Sequence, residues 1–373
     1  MLFRRVLDGI ERDPARRGSL QDEIIDRVNK MHADDLDAGQ WLLATHSLSG
    51  FGLLRSSLLT RSLCLERSRR DFELLRGAVS TRSIERTIAT SIENSDTLTL
   101  RHIAFNTDLR HRASRYAHAA ETYLGIIAEA PTVASRDQYH QAFAETIRGR
   151  TVALVAPTSG NDADLDAAAS SDVIYQIKYF PMASATVETR SALRCDVSFY
   201  NNHVLRGLAA DPAMRSRLRT EVPWLIQKRG PAAIIDHPGL RCMSVWAPTA
   251  LTTATSGTLA MFDLLQFRPK SVVLHGFNFY TTRQQYSPSH LEIYRERPDS
   301  VGGGLKGTQW SGEDLSPSDI AWSFISHVPH SDFALVQRLW KQGLVVPTPG
   351  VEEVLGLTAD GYARRLETML GEW

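Results

Sequence analysis

Through the first 147 residues, apolar side chains recur at helical spacing and Gly and Pro are scarce after position 52. Stretches such as SLQDEIIDRVNKMHADDLDAGQWLLATHSL and YAHAAETYLGIIAEA carry the i, i+3, i+4 pattern of amphipathic helices. Residues 1–147 therefore read as an all-helical region. One segment, SGFGLLRSSLLTRSLCLERSRRDFELLRG, sets a leucine stripe against arginines. A core-facing stripe with a solvated Arg face explains it, and a helix lying on a membrane surface would share the pattern.

At Gly149 the pattern changes. GRTVALVAPTSGND is a short β-branched run closing on small turn residues, as the first strand and loop of an open α/β sheet would be. Further strands are expected in DVIYQIKYF (172–180), CDVSFYN (195–201), AAIID (232–236), CMSVWA (242–247), KSVVLHGFNFY (270–280) and LVVPT near the carboxyl end. Between CMSVWA and KSVVLHGFNFY, TSGTLAMFDLLQF opens with Thr/Ser and has helical periodicity. Near-continuous apolar strands alternating with helices imply a Rossmann-like, mostly parallel sheet covered on both faces, occupying residues 148–373. The polar, Gly-rich run ERPDSVGGGLKGTQWSGEDLSP is long enough for a lid or an acceptor-binding insertion.

Composition adds exclusions. The 373 residues hold 42 basic and 42 acidic side chains, so no global positive field recruits nucleic acid. Cys64, Cys195 and Cys242 lie far apart, which signals neither a disulfide framework nor a zinc site. MLFRRVLDGIERDPARR lacks an apolar core of signal-peptide length, and no stretch reaches a membrane span. The expectation is a cytoplasmic protein, with peripheral attachment to the inner membrane face left open by the helical half.

Ligands of an open parallel sheet sit beyond the carboxyl ends of its strands, so the residues following each strand are the candidates. They are Ala156 to Asn161, Phe199 to Asn202, Thr255 to Gly257, Gly276 to Tyr280 and His327 to Ser331. APTSGN lacks the glycine fingerprints of dinucleotide and P-loop sites. Asp162-Ala163-Asp164 reads as a solvated turn, and no metal site is expected. Tyr280 and Tyr286 are either rim aromatics or phenols that hydrogen-bond a leaving phosphate. His330, opening a helix, is either structural or a general base, with His327, His290 and His275 as competitors.

In order and spacing these segments resemble the sialyltransferases, most closely the bacterial lipooligosaccharide type. VALVAPTSGN stands at the first strand and loop, Phe199-Tyr200-Asn201 at a later strand end, and Thr255-Ser256-Gly257 before the helix. Gly276, Phe277, Asn278, Phe279 and Tyr280 follow with Tyr286 six residues on, and His330-Ser331 opens the late helix. The same blocks are similar to the sialyl motifs of the animal-type enzymes. The resemblance covers about residues 148 to 356 and implies a GT-A-like, inverting, metal-independent glycosyltransferase. Its donor would be CMP-sialic acid or a related CMP-nonulosonate, and its acceptor a saccharide or glycolipid. The resemblance places the donor on Thr158, Ser159, Gly160, Asn161, Asn201, Thr255, Ser256, Gly257, Gly276 and Asn278. His330 would be the base, with Tyr280 and Tyr286 on the phosphate. Departures include Asn278 where the family has Asp, and Lys178 near an expected asparagine. CMP-Kdo, a UDP-sugar, or a non-catalytic scaffold stand as alternatives.

Overall fold

The computed structural model describes residues 17–75, 80–128, 138–158, 162–181, 193–228, 233–251, 253–282, 324 and 327–371. Seven strands form one open sheet: β1 (Thr151–Val155), β2 (Val173–Ile177), β3 (Val197–Tyr200), β4 (Trp224–Gln227), β5 (Leu240–Cys242), β6 (Ser271–His275) and β7 (Val346–Pro347). Their order is β5-β4-β3-β2-β1-β6-β7, and every neighbouring pair is parallel. The fold is thus α/β and Rossmann-like. β1 sits inside the sheet with Val152 beside Val173 on one flank and Val272 on the other. Covered on both faces, it has no reason to alternate, and TVALV reads as a continuous apolar run.

Eight helices precede β1 among the described residues: α1 (Arg17–Val28), α2 (Ala38–Gly50), α3 (Leu54–Leu75), α4 (Thr81–Glu93), α5 (Thr97–Phe105), α6 (Thr107–Arg112), α7 (Ser114–Ile127) and α8 (Gln138–Ile147). Later helices are α9 (Asp162–Ala169), α10 (Asn202–Ala210), α11 (Pro212–Glu221), α12 (Ser256–Leu265), α13 (Pro329–Lys341), α14 (Pro349–Leu355) and α15 (Ala359–Leu370). Several begin at an acceptor side chain that the sequence supplies. Asp37 takes Gly39 N and Gln40 N at the start of α2, and Gln40 reaches back to Asp37 N. This reciprocal arrangement satisfies backbone donors that the helix itself leaves unpaired. No helix among the described residues is long and apolar enough to cross a membrane.

One buried cluster joins Ile84, Ile88, Leu100, Ile103, Tyr123 and Phe143 of the early helices to Val152, Leu154 and Val272 of the sheet. Ion pairs reinforce this packing. Arg61 of α3 holds both Glu93 oxygens at 2.6 and 2.7 Å, and Arg55 meets Glu367 of α15 at 2.8 Å. Deeper still, Arg241 of β5 grips Asp263 of α12 at 2.6 and 3.1 Å, both side chains being almost wholly buried. Asp263 Oδ1 also accepts from Ser244 N and Val245 N at 3.1 Å and from Gln266 Nε2 at 2.8 Å. The guanidinium carbon lies 5.0 Å from the Phe143 ring centre and 4.6 Å from that of Phe267. Such placement satisfies the charge and pins the loop after β5 to α12.

Three strand expectations need correction. The fourth strand is Trp224–Gln227; within AAIID, residues 233–236 form a loop in which Gln227 Oε1 accepts from Ile234 N. Ile235 is buried against Leu218 and Leu225, so its apolarity serves packing without pairing. In CMSVWA only Cys242 is in β5: Met243 N still donates to the Gln227 carbonyl of β4 at 2.8 Å, and Asp263 then takes Ser244 N and Val245 N. β6 ends at His275, because Gly276 turns into the left-handed region (φ 69°) and GFNFY leaves the sheet.

Candidate functional site

The carboxyl edge carries, across the sheet, Lys228 after β4, Asn201 after β3, Lys178 after β2, Ala156 to Thr158 after β1 and Gly276 after β6. Chain order reverses between β1 and β6, so the crevice lies there. Its two lips are tied together, as the Thr158 hydroxyl donates to the Gly276 carbonyl. A Cβ on Gly276 would stand 2.7 Å from Thr158 Oγ1. Gly276→Ala should therefore cost about 1–3 kcal/mol from the positive φ alone, and widen the crevice. Denaturant titration checks the stability cost.

The other segments approach the same place. Thr255 caps α12, its hydroxyl accepting from Thr258 N. The Phe277 ring packs directly on Gly257, where a Cβ would meet Phe277 Cε1 at 2.7 Å. Ser256 is half-buried in the first turn of α12. The Thr-Ser-Gly and Gly-Phe-Asn-Phe-Tyr segments thus touch across the intervening helix and strand.

Beyond Phe277 the chain makes a tight turn. Asn278 Oδ1 accepts from Tyr280 N at 3.1 Å and Asn278 Nδ2 donates to Thr282 at 2.8 Å. Phe279 and Tyr280 both have positive φ, 46° and 64°, a conformation costly for side chains of this size. The turn is held by Tyr362, whose hydroxyl donates to the Phe279 carbonyl at 2.6 Å. Tyr280 is half-buried, with its ring edge-on to Phe324 at 5.3 Å. Tyr286, Ser159, Gly160 and Asn161 lie outside the described residues. Asn201 caps α10, its Oδ1 accepting from Val204 N at 2.8 Å. Lys178 is buried at the end of β2 in a left-handed conformation (φ 56°), and the Lys228 ammonium lies 5.8 Å above the Trp246 ring.

The histidines divide sharply. His330 is 2% exposed, its Nε2 donates to the Leu54 carbonyl at 3.1 Å, and its ring lies 5.8 Å from that of Tyr362. Burial, aided by the Arg61 charge, pushes its pKa down to about 3. It is a neutral imidazole enclosed by α3 and α15. His327 is half-buried, with Nδ1 2.9 Å from the Thr253 carbonyl. A carbonyl can only accept, so Nδ1 carries the proton and neutral His327 keeps its lone pair on Nε2.

Beside it stands Asp332, absent from the candidates read off the sequence. Its Oδ1 accepts from Thr255 N at 2.9 Å and Thr255 Oγ1 at 3.0 Å. Burial raises this carboxyl's pKa, opposed by the Thr258 hydroxyl, the His327 charge and the Thr255 donors. Asp332 thereby joins the first turn of α13 to the first turn of α12. Pro329 and an acidic residue in that first turn mark a helix start in sequence; the partner 77 residues upstream leaves no local trace.

Among the described residues no group of three His, Cys, Asp or Glu side chains could hold a metal ion. Compared with family models, with curated proteins and with solved structures, the chain matches none.

Proposed function

We propose that this chain is an inverting glycosyltransferase using a CMP-activated acidic sugar, sialic acid or a related nonulosonate. One observation carries the reading: Gly257 and Phe277 are in contact beside the β1/β6 crevice, bringing together the two segments most similar to a sialyltransferase donor site. In this scheme the single sheet is a GT-A-like platform, and the described helices before β1 pack beside it. The donor occupies the carboxyl edge, where Lys178 and Lys228 supply positive charge for an anionic ligand. An acceptor hydroxyl, on a saccharide or glycolipid, attacks the anomeric carbon. The bond to the phosphate oxygen breaks as the new glycosidic bond forms, and its electron pair leaves with CMP. One displacement gives inversion. Tyr280 and Tyr286 donate to the phosphate as charge builds there.

The acceptor's proton passes to His327 Nε2, whose tautomer the Thr253 carbonyl sets. This role was expected of His330, which the burial described above makes a poor base. Thr158, Asn201 and Asn278 contribute chiefly by shaping the crevice, since each spends a polar group on an internal hydrogen bond.

Incubation with CMP-sialic acid, CMP-Kdo and UDP-sugars, followed by release of the nucleotide, tests the proposal. CMP release is expected, and His327→Ala should lower kcat about a hundredfold with the thermal midpoint unchanged. No turnover of any CMP-sugar, or an unimpaired variant, would overturn it. The internally satisfied Thr158, Asn201 and Asn278 also favour a second reading, a nucleotide-binding scaffold without catalysis. CMP binding with no release would identify that case.

A further inference from the structure

We infer that the outward face of α5 is an anchor for an anionic lipid surface. Leu98, Arg101, His102 and Phe105 stand at i, i+3, i+4 and i+7 and are all exposed, while Leu100, Ile103 and Ala104 on the opposite side are buried. The face turned away from the core thus mixes two large apolar side chains with Arg101 and His102. Leu98 is 77% exposed and Phe105 82%. Phe72 of α3 packs edge-on to the His102 ring at 6.3 Å. Large apolar side chains scattered singly need no explanation, but here two stand on either side of one cation on a single helix face.

The charge on this face selects the occupant. Arg101 has no ion-pair partner among the described residues. The neighbouring carboxylates are engaged: Asp96 accepts from Thr99 N and Oγ1, Glu73 from Arg69, and Asp108 from Arg112. A single unneutralised guanidinium flanked by Leu98 and Phe105 matches the boundary of an anionic bilayer. There the apolar side chains enter the acyl region and the cation stays at the phosphates. The anchor stands independently of the donor-site reading, though it would bring a lipid-linked acceptor to the same molecule.

The test is sedimentation of the full chain with vesicles of phosphatidylglycerol and phosphatidylcholine in equal parts, against pure phosphatidylcholine. The wild type should bind the anionic vesicles about tenfold more tightly, and added salt should weaken that binding. Leu98→Ser with Phe105→Ser should lower partition about tenfold without shifting the thermal midpoint, since both side chains face solvent. Arg101→Glu should reduce binding to the anionic vesicles alone. Wild type that binds neither vesicle, or a double variant that binds as well as wild type, overturns the inference. So does a variant that changes the mass of the lipid-free protein, which would make this face a contact between copies of the chain.

Discussion

Asp263→Ala is expected to destabilise the protein by about 3–5 kcal/mol, the cost of leaving a buried charge without its partner. Arg241 would remain enclosed by Phe143 and Phe267 with no carboxylate to meet. Ser244 N and Val245 N would lose their acceptor as well, each unmet buried donor costing about 1–3 kcal/mol in isolation. These losses overlap and are not summed. Removing both charges, as Arg241→Met with Asp263→Leu, should recover much of the loss, because the pair's own desolvation penalty disappears with it. Urea unfolding of the two variants and wild type supplies the measurement. A single variant within about 1 kcal/mol of wild type would mean that the bond network contributes little.

Acidification should unfold the protein through His330. In the unfolded chain this imidazole titrates near 6.5, whereas in the fold its pKa is about 3. The unfolded state therefore takes up the proton first. The stability that His330 provides is fully present above pH 6.5 and declines by about 1.4 kcal/mol per pH unit as the pH falls toward 3. His237, lowered by burial, acts in the same sense. Asp332 acts in the opposite one: its pKa is raised, so its ionised form is the costly one and protonation relieves the strain. His330→Gln, which keeps a donor for the Leu54 carbonyl, removes only the imidazole's share. Plotted against pH, the stability difference between wild type and variant should slope by about one proton between pH 6 and 4. Parallel curves would show that His330 titrates normally.

Strands buried on both faces announced themselves, and β1, β2, β3 and β6 lie inside the segments read as strands. WLIQ carries little strand signal, because it is four residues long and runs into Lys228-Arg229. AAIID looked more like a strand because Ile235 is a core residue, and periodicity cannot separate packing from pairing. The same limit applies to the site. The segments at the strand ends were legible as segments, but what each side chain does with its hydrogen bonds was not. Asn201 became a helix cap, Asn278 a turn brace, and His330 a core group, each through a partner that local sequence cannot display. His327 and Asp332 owe their arrangement to Thr253 and Thr255, more than seventy residues upstream. The region before Gly149 read as helical, yet its side chains share a core with β1 and β6, a relation carried by tertiary packing alone.

The placement of β1 between β2 and β6 has a consequence for synthesis on the ribosome. One flank of β1 can zip onto Val173–Ile177 soon after both emerge, but the other must wait for Ser271–His275. The roughly 120 residues between them take about 6–24 s at ordinary elongation rates. For that interval the nascent sheet presents Thr151–Val155 as an open apolar margin, a template for any passing strand. The helices made first are already available to shield it, so the amino-terminal half would act as an internal chaperone for the strand that follows it.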